Sequence, residues 1–600
     1  MGTGFSIDTP VKVAKYGISS VISLVDDTLI EQMRKLYAEK YGEPYTPIEK
    51  EDEDARARRI TAYLDLLDKI VQKEFADLKA SPFEPGSEIT KYFELLPETS
   101  PVKEQYGRML QTENPQEKEK LQQELRDQME TGDINVNIMT KLDRMNYAAK
   151  NGPPLPQEFS DALAALRGYA KSRLRSAIVF SAGINQRLYS YAAEFKDFYA
   201  DASGFIKKKI IIKVSDYRSS LIQGKFFAKK GLWVSEYRIE SGLNCGGHAF
   251  ATPGILMGPI LEEFKTKKQE LVATLYKMYA QALDLKERII PQTPPQVEIT
   301  AQGGIGTFEE NNFLLTHYNV DSTGWGSPTL LCPEITNVED ETIEKLSKAG
   351  EKDVYLSDVS PLGVPFNNLR NSASDLAKEE RISKGRPGSA CPKGHLVTNT
   401  EFTEQPICTA SRQYQKLKLE QLAAQDLPPE QYQALSTKIV TKSCICHDLG
   451  EAPLIKYHVP TRAKRFSAIC PGPNIAYFSK IVTLAEMVGH IYGRCNLLNP
   501  GYRPNMFLKE LKLNIDYLTH EVMKFAPVMT EKQAAYFREF RKNLLDAIEY
   551  YRHLFPQMVA QTQEYRRKAL EELQELLDHL ESFVDSQIAI FQEPSKAISA

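Results

Sequence analysis

No apolar run in this 600-residue chain is long enough to cross a bilayer. There is no long basic run either. Lys207-Lys208-Lys209 is a short lead-in to a strand, and the formal net charge is only −4. No helical membrane span is therefore expected, and no nucleic-acid partner. The N-terminus, Met1-Gly2-Thr3-Gly4-Phe5, has neither the basic start nor the apolar core of a secretion signal. Gly2 and Ser6 fit the myristoylation pattern, but that pattern is short and common, and no lipid anchor is expected. Eight cysteines without an export signal do not suggest a disulfide framework, and a cytoplasmic location is expected.

What is present points to two or three domains, since the chain is too long for one compact core. Residues 1–45 read as a first barrel segment: Val11–Val13, then Ile18–Val25, then a helix from Asp27 capped by Asp26 or Asp27. Residues 46–170 are charged, helical in pattern and broken by Pro82, Pro85, Pro97, Pro101 and Pro115. They read as a large helical insertion. From 171 to 380 the pattern alternates strand and helix. Ala177–Phe180, Ile210–Val214, Leu232–Ile239 and Gln296–Ala301 read as strands; 219–229, 261–283 and 308–317 read as helices. Such alternation predicts a parallel sheet or barrel.

Two of these strands end in glycine stretches. The first is Ser241-Gly242-Leu243-Asn244-Cys245-Gly246-Gly247-His248, and the second is Gln302-Gly303-Gly304-Ile305-Gly306. Val320 to Ser327 then carries Gly324 and Gly326. Glycine loops followed by helix starts turn backbone N–H groups and helix N-termini toward one point, which suits a phosphate. In (β/α)8 barrels the last strands commonly hold a cofactor phosphate this way. The plainer alternative is a set of tight turns.

These stretches resemble the nitronate monooxygenase family, the 2-nitropropane dioxygenase-like FMN enzymes, which is related to flavin-dependent enoyl reductases. Gly242–His248 is similar to the family's Gly-x-Glu-Ala-Gly-Gly-His. Ala301–Ile305 is similar to its Ala-Ala-Gly-Gly-Ile, and Trp325–Leu330, with Glu334 after it, to its Met-Gly-Thr-Arg-Phe-Leu. Leu369-Arg370-Asn371 matches a Leu-Arg-Asn ending. The order agrees over roughly 171–375, whereas Asn244 and Cys245 replace the family's glutamate and alanine. The resemblance implies an α/β fold built as a (β/α)8 TIM barrel and an FMN cofactor. It implies a phosphate site at Gly303, Gly304, Gly326 and Ser327 with Gly324 beside it, and a close approach of ring or substrate at Gly246 and Gly247. His248 would be the catalytic acid or base, with Cys245 and Asn244 adjacent. Cys245 reads either as a nucleophile or acid or as a small spacer.

Residues 381–475 hold Cys391-Pro392-Lys393-Gly394-His395, Cys408, Cys444-Ile445-Cys446-His447 and Cys470. Cysteines this close, placed in loops, predict a metal-binding module. One reading is a 4Fe-4S iron–sulfur cluster on Cys391, Cys408, Cys444 and Cys446, passing electrons to the flavin. The other is zinc, taking His395 or His447. Buried cysteines with no metal are the third. Residues 476–600 read as a helical C-terminal region, with 521–553 and 562–590 packing on each other, on the insertion or on a second subunit in a homodimer. The expected function is an FMN-dependent oxidoreductase. Its substrate would be a small molecule or an acyl group, and its electron donor a nicotinamide or a ferredoxin-like protein. A trans-acting enoyl reductase and a non-catalytic barrel scaffold are the alternatives.

Overall fold

Seven short runs, most of them rich in isoleucine and valine, become parallel strands, and they pair strictly in chain order. They are β1 (Ser20–Ser23), β2 (Ile134–Ile138), β3 (Ser176–Phe180), β4 (Lys208–Val214), β5 (Val234–Glu240), β6 (Glu298–Gln302) and β7 (Ser322–Gly324). The computed structural model describes residues 2–140, 142–148, 152–181, 183–246, 253–390, 392–461, 464–525, 529–559 and 561–592. Gly247, His248 and Cys391 lie outside the described residues.

The two faces of the sheet differ in chemistry. Ile22, Val136, Ile178, Ile210, Ile212 and Tyr237 alternate along the strands onto the helix-covered face and join the main core. The opposite, inner face has a small apolar cluster, Ala177, Val179 and Ile211 with Val21 against it. Toward β5 and β6 that face becomes polar: Lys213 pairs with Glu240 at 3.1 Å, and Arg238 with Glu236 at 2.7 Å. Asp26 caps the helix Asp27–Tyr41, its Oδ1 accepting from the Leu29 N–H at 3.0 Å.

The sheet is curled but open, and this corrects the expected eight-stranded barrel. β1 and β7 are its two edges. After β7 the chain turns through Pro328–Leu331 into a separate antiparallel pair, β8 (Val354–Ser357) and β9 (Phe366–Leu369). The expected insertion 46–170 also needs correction, because β2 lies inside it and joins the sheet between β1 and β3. The remaining helices of that stretch contribute Phe93 and Tyr106 to a second core, which Leu330, Phe366, Cys444 and Met487 share.

The expected helix 521–553 is two helices, Met506–Phe525 and Glu531–Leu554. With Gln563–Ser586 they pack on one another, and the first two also pack on the long helix Met257–Asp284. Among the described residues no helix is long and apolar enough to cross a membrane.

Candidate functional site

The glycine loops after β5, β6 and β7 touch one another at the C-terminal edge of the sheet. Ser241 N–H donates to Gln302 O at 3.0 Å, which carries the β5–β6 pairing one step into the loops. A Cβ on Gly303 would stand 3.0 Å from Asn244, and one on Gly326 2.9 Å from the Cβ of Cys245. A Cβ on Gly304 would come within 2.7 Å of Leu243. Gly303 and Gly304 also hold φ of +103° and +81°, where side chains are strained. The glycines are needed for close loop contact and for a left-handed turn.

The C-terminal half of the chain then grips these loops from outside. Arg503 donates to Gly304 O at 2.7 Å, and Asn474 Nδ2 to Ile305 O at 2.8 Å. His490 Nε2 donates to Gly306 O at 2.9 Å; its Nδ1 accepts from Leu497 N–H at 3.3 Å, which fixes that tautomer. Burial holds His490 below its usual value, so the ring is neutral. Three successive carbonyls are thereby turned toward the C-terminal segment. On the β5 side, Gly246 N–H donates to Cys470 O at 3.0 Å.

Gly472 passes so close that a Cβ there would meet Ser327 Oγ at 2.3 Å and Leu243 O at 2.6 Å. Gly472→Ala is therefore expected to cost about 1–3 kcal/mol, as overpacking does, and a thermal melt measures it.

The helix Phe308–His317 is capped by Thr307 and carries an acid of its own, Glu310, in its first turn. The buried carboxylate accepts from Gly306 N–H at 2.9 Å and from Met506 N–H at 2.8 Å, and pairs with Arg503 at 2.7 Å. A resident anion already satisfies those donors.

The FMN phosphate expected at Gly303, Gly304, Gly326 and Ser327 has a separate test. Trp325 Nε1–H, next to Gly326 and Ser327, is buried with no hydrogen-bond partner among the described residues. A buried indole donor normally finds an acceptor. A ligand oxygen at the end of β7 would supply one. Gly324 lies at the end of β7, where a Cβ would meet Gln302 at 3.0 Å.

Of the candidate catalytic set, Asn244 and Cys245 are in the loop cluster, and His248 lies outside the described residues. Burial, with Cys470 nearby, pushes the Cys245 thiol up to about 12. It is protonated at neutral pH, which suits a spacer or weak donor and not a thiolate nucleophile. Sequence reasoning missed the polar floor below the loops. Gln302 donates to Glu240, and Glu240 pairs with Lys213. Burial works against the Glu240 charge, but the Lys213 ammonium holds it below the usual carboxylate range. The signal in the sequence was the alternation of Glu236, Arg238 and Glu240 along β5, where a buried strand normally carries apolar residues.

Among the described residues no group of three or more His, Cys, Asp or Glu is placed to hold a metal. Cys408, Cys444, Cys446 and Cys470 are buried in the second, apolar core. The neighbouring Cys444 and burial push the Cys446 thiol well above its usual value. The charged members of the motifs form ion pairs instead. Lys393 Nζ lies 2.5 Å from Asp26 at the end of β1, and His395 stands 3.6 Å from the same carboxylate. Arg465 and His447 hold Glu451 at 2.7 and 3.4 Å. The motifs dock this part of the chain onto the sheet, and the zinc alternative through His395 or His447 finds no ligand set among the described residues.

No family model matches the chain, that of the nitronate monooxygenases included, and no curated protein matches it. The family resemblance therefore rests on the four short stretches. Among solved structures, the chain is similar to the enoyl reductase domain of MlnA from the macrolactin biosynthesis cluster of Bacillus amyloliquefaciens. The identity is 15% and the TM-score 0.34, over 66% of this chain and 86% of that one.

Proposed function

We propose that the chain is a flavin-dependent oxidoreductase whose site lies at the C-terminal ends of β5, β6 and β7. The observation that carries the proposal is the meeting of three glycine loops around Asn244 and Cys245, with an indole N–H near Ser327 that has no partner among the described residues. Gly303, Gly304, Gly326 and Ser327 would hold the FMN phosphate, and Trp325 Nε1–H would donate to a ligand oxygen. The flavin, when bound, supplies hydride exchange with a carbon next to an electron-withdrawing group.

The chain's own residues do the rest. Arg503, Asn474 and His490 keep the carbonyls of 304–306 turned away from the site, which orients the loop peptides. Lys213, Glu240 and Gln302 form a charged floor able to orient a polar substrate group. His248 is the proposed proton-handling group, on the family resemblance. An acyl thioester with a double bond beside its carbonyl is one substrate of the right chemistry, with a nicotinamide as donor. Oxidation of a nitronate is the other.

A second reading has its own support. Glu310 in the first turn of its helix and the 470–474 segment across Ser327 favour an open sheet whose rim is covered and which serves as a scaffold. One experiment separates the two: the absorption spectrum of purified protein before and after reconstitution with FMN. The enzyme reading predicts a yellow protein with one flavin per chain. It also predicts that Ser327→Ala weakens flavin retention roughly tenfold or more, as loss of a hydrogen bond to a charged group does. A colourless protein that takes up no flavin supports the scaffold.

A further inference from the structure

A buried carboxylate from the C-terminal helices joins both sides of the β5 loop. Glu510, 5% exposed, lies on the helix Met506–Phe525. Its Oε2 accepts from the Met257 N–H at 2.8 Å, at the start of the helix Met257–Asp284. The same carboxyl group also lies beside the Ser241 hydroxyl and the Gly242 N–H, directly after β5, and both favour its charged form. One side chain thus ties the end of the strand to the beginning of the next helix. The packing around it is tight on both sides. A Cβ on Gly242 would stand 3.0 Å from Leu513, and one on Gly258 2.5 Å from the Tyr551 ring. Tyr551 OH also accepts from Gly258 N–H at 3.3 Å.

We propose that Glu510 is a positioning residue, a clamp that fixes the end of β5 against the start of the helix Met257–Asp284 and so sets the geometry of Asn244, Cys245 and Gly246. Its functional weight rests on the reading that the site lies there; the clamp itself does not. Among the described residues no cation pairs with Glu510, and burial raises the carboxyl to about 7. The titratable side chain facing it is the Tyr551 phenol, which burial and the Glu510 charge hold well above its usual value, so it stays neutral. The sign follows from linkage. The clamped state holds the proton more tightly than a free carboxyl. The stabilisation is fully present below the ordinary carboxylate value and is lost as pH rises through about 7. Rising pH therefore loosens the clamp.

The test is amide hydrogen exchange at Gly242 and Met257 in the full chain, corrected for the intrinsic pH dependence of exchange. In the wild type, clamp opening should rise roughly tenfold from pH 6 to pH 8. Glu510→Gln keeps an acceptor oxygen and no titration, so both amides should stay protected and lose that pH dependence. Glu510→Ala should expose both amides at either pH. Wild-type protection in Glu510→Ala, or a wild-type pH response in Glu510→Gln, would overturn the proposal. If Glu510→Ala does not fold, the Glu510→Gln profile alone decides. Neither readout needs flavin, so a colourless protein would end the enzyme reading without touching this one.

Discussion

Arg503→Ala is expected to lower the unfolding free energy by about 3–5 kcal/mol, the usual result of removing one partner of a buried ion pair. The side chains of Arg503 and Glu310 are only 7% and 2% exposed, so water cannot replace the lost partner. The substitution removes more than a charge. Arg503 also donates to Asn474 Oδ1 at 3.0 Å and to Gly304 O at 2.7 Å, and its guanidinium covers Gly306, where a Cβ would meet it at 2.6 Å. Glu310 would be left buried with two backbone N–H donors and no counter-charge. Arg503→Lys keeps the charge but has no planar fork to reach three acceptors, and should fall between. The double variant Arg503→Met with Glu310→Gln should lose less than Arg503→Ala alone, because no unpaired charge remains. Urea unfolding of the four proteins measures all of this. A loss below about 1 kcal/mol for Arg503→Ala would mean that the rim does not depend on the pair.

The second large effect is a rise in stability with pH. Lys208 leaves β4 on the helix-covered side and is fully buried. Its ammonium donates to Tyr169 O at 3.0 Å, Ser172 O at 3.0 Å and Ser172 Oγ at 2.9 Å. No carboxylate lies among those partners. Burial, with the charge of Lys207, presses its pKa down to about 7. The folded value is depressed, so the folded chain binds fewer protons than the unfolded chain above pH 7. Stability is fully present above the ordinary lysine value and is lost as pH falls through about 7. Between pH 7 and pH 9 this one group should add about 2 kcal/mol. Lys208→Met should remove that slope, and urea midpoints at pH 7, 8 and 9 read it directly. A slope unchanged in Lys208→Met would place the proton elsewhere.

Strands β3 to β6 were legible because each is a β-branched run between helical stretches, and the structure moves their ends by no more than two residues. β2 was not. Ile134-Asn135-Val136-Asn137-Ile138 alternates as a strand should, but it follows a long charged helical stretch and is only five residues long. Its asparagines are also of a type depleted in strands. One of them is used by the sheet: Asn135 Oδ1 accepts the Ala177 N–H at 2.7 Å. The closed barrel was inferred from the repeat of strand and helix. That pattern says how strands follow one another and not whether the last meets the first.

The glycine stretches pointed to the right edge of the sheet, but part of their purpose was hidden. They let neighbouring loops and Arg503 come close. Glu310 and Arg503 pair across 193 positions and Glu510 reaches the Met257 N–H across 253, and no local pattern announces contacts of that kind. Nearness in sequence suggested thiolates gathered on a metal; the described cysteines lie in the second apolar core, and among the described residues no three metal-ligating side chains stand together.

The linear strand order has a consequence for how the chain is made. Each strand pairs with the next one to leave the ribosome, so the sheet can grow vectorially, with one long excursion between β1 and β2. Cys470, Asn474, His490, Arg503 and Glu510 all emerge after the last strand. A nascent chain therefore carries a finished sheet with a bare upper edge for as long as translation of its final third takes.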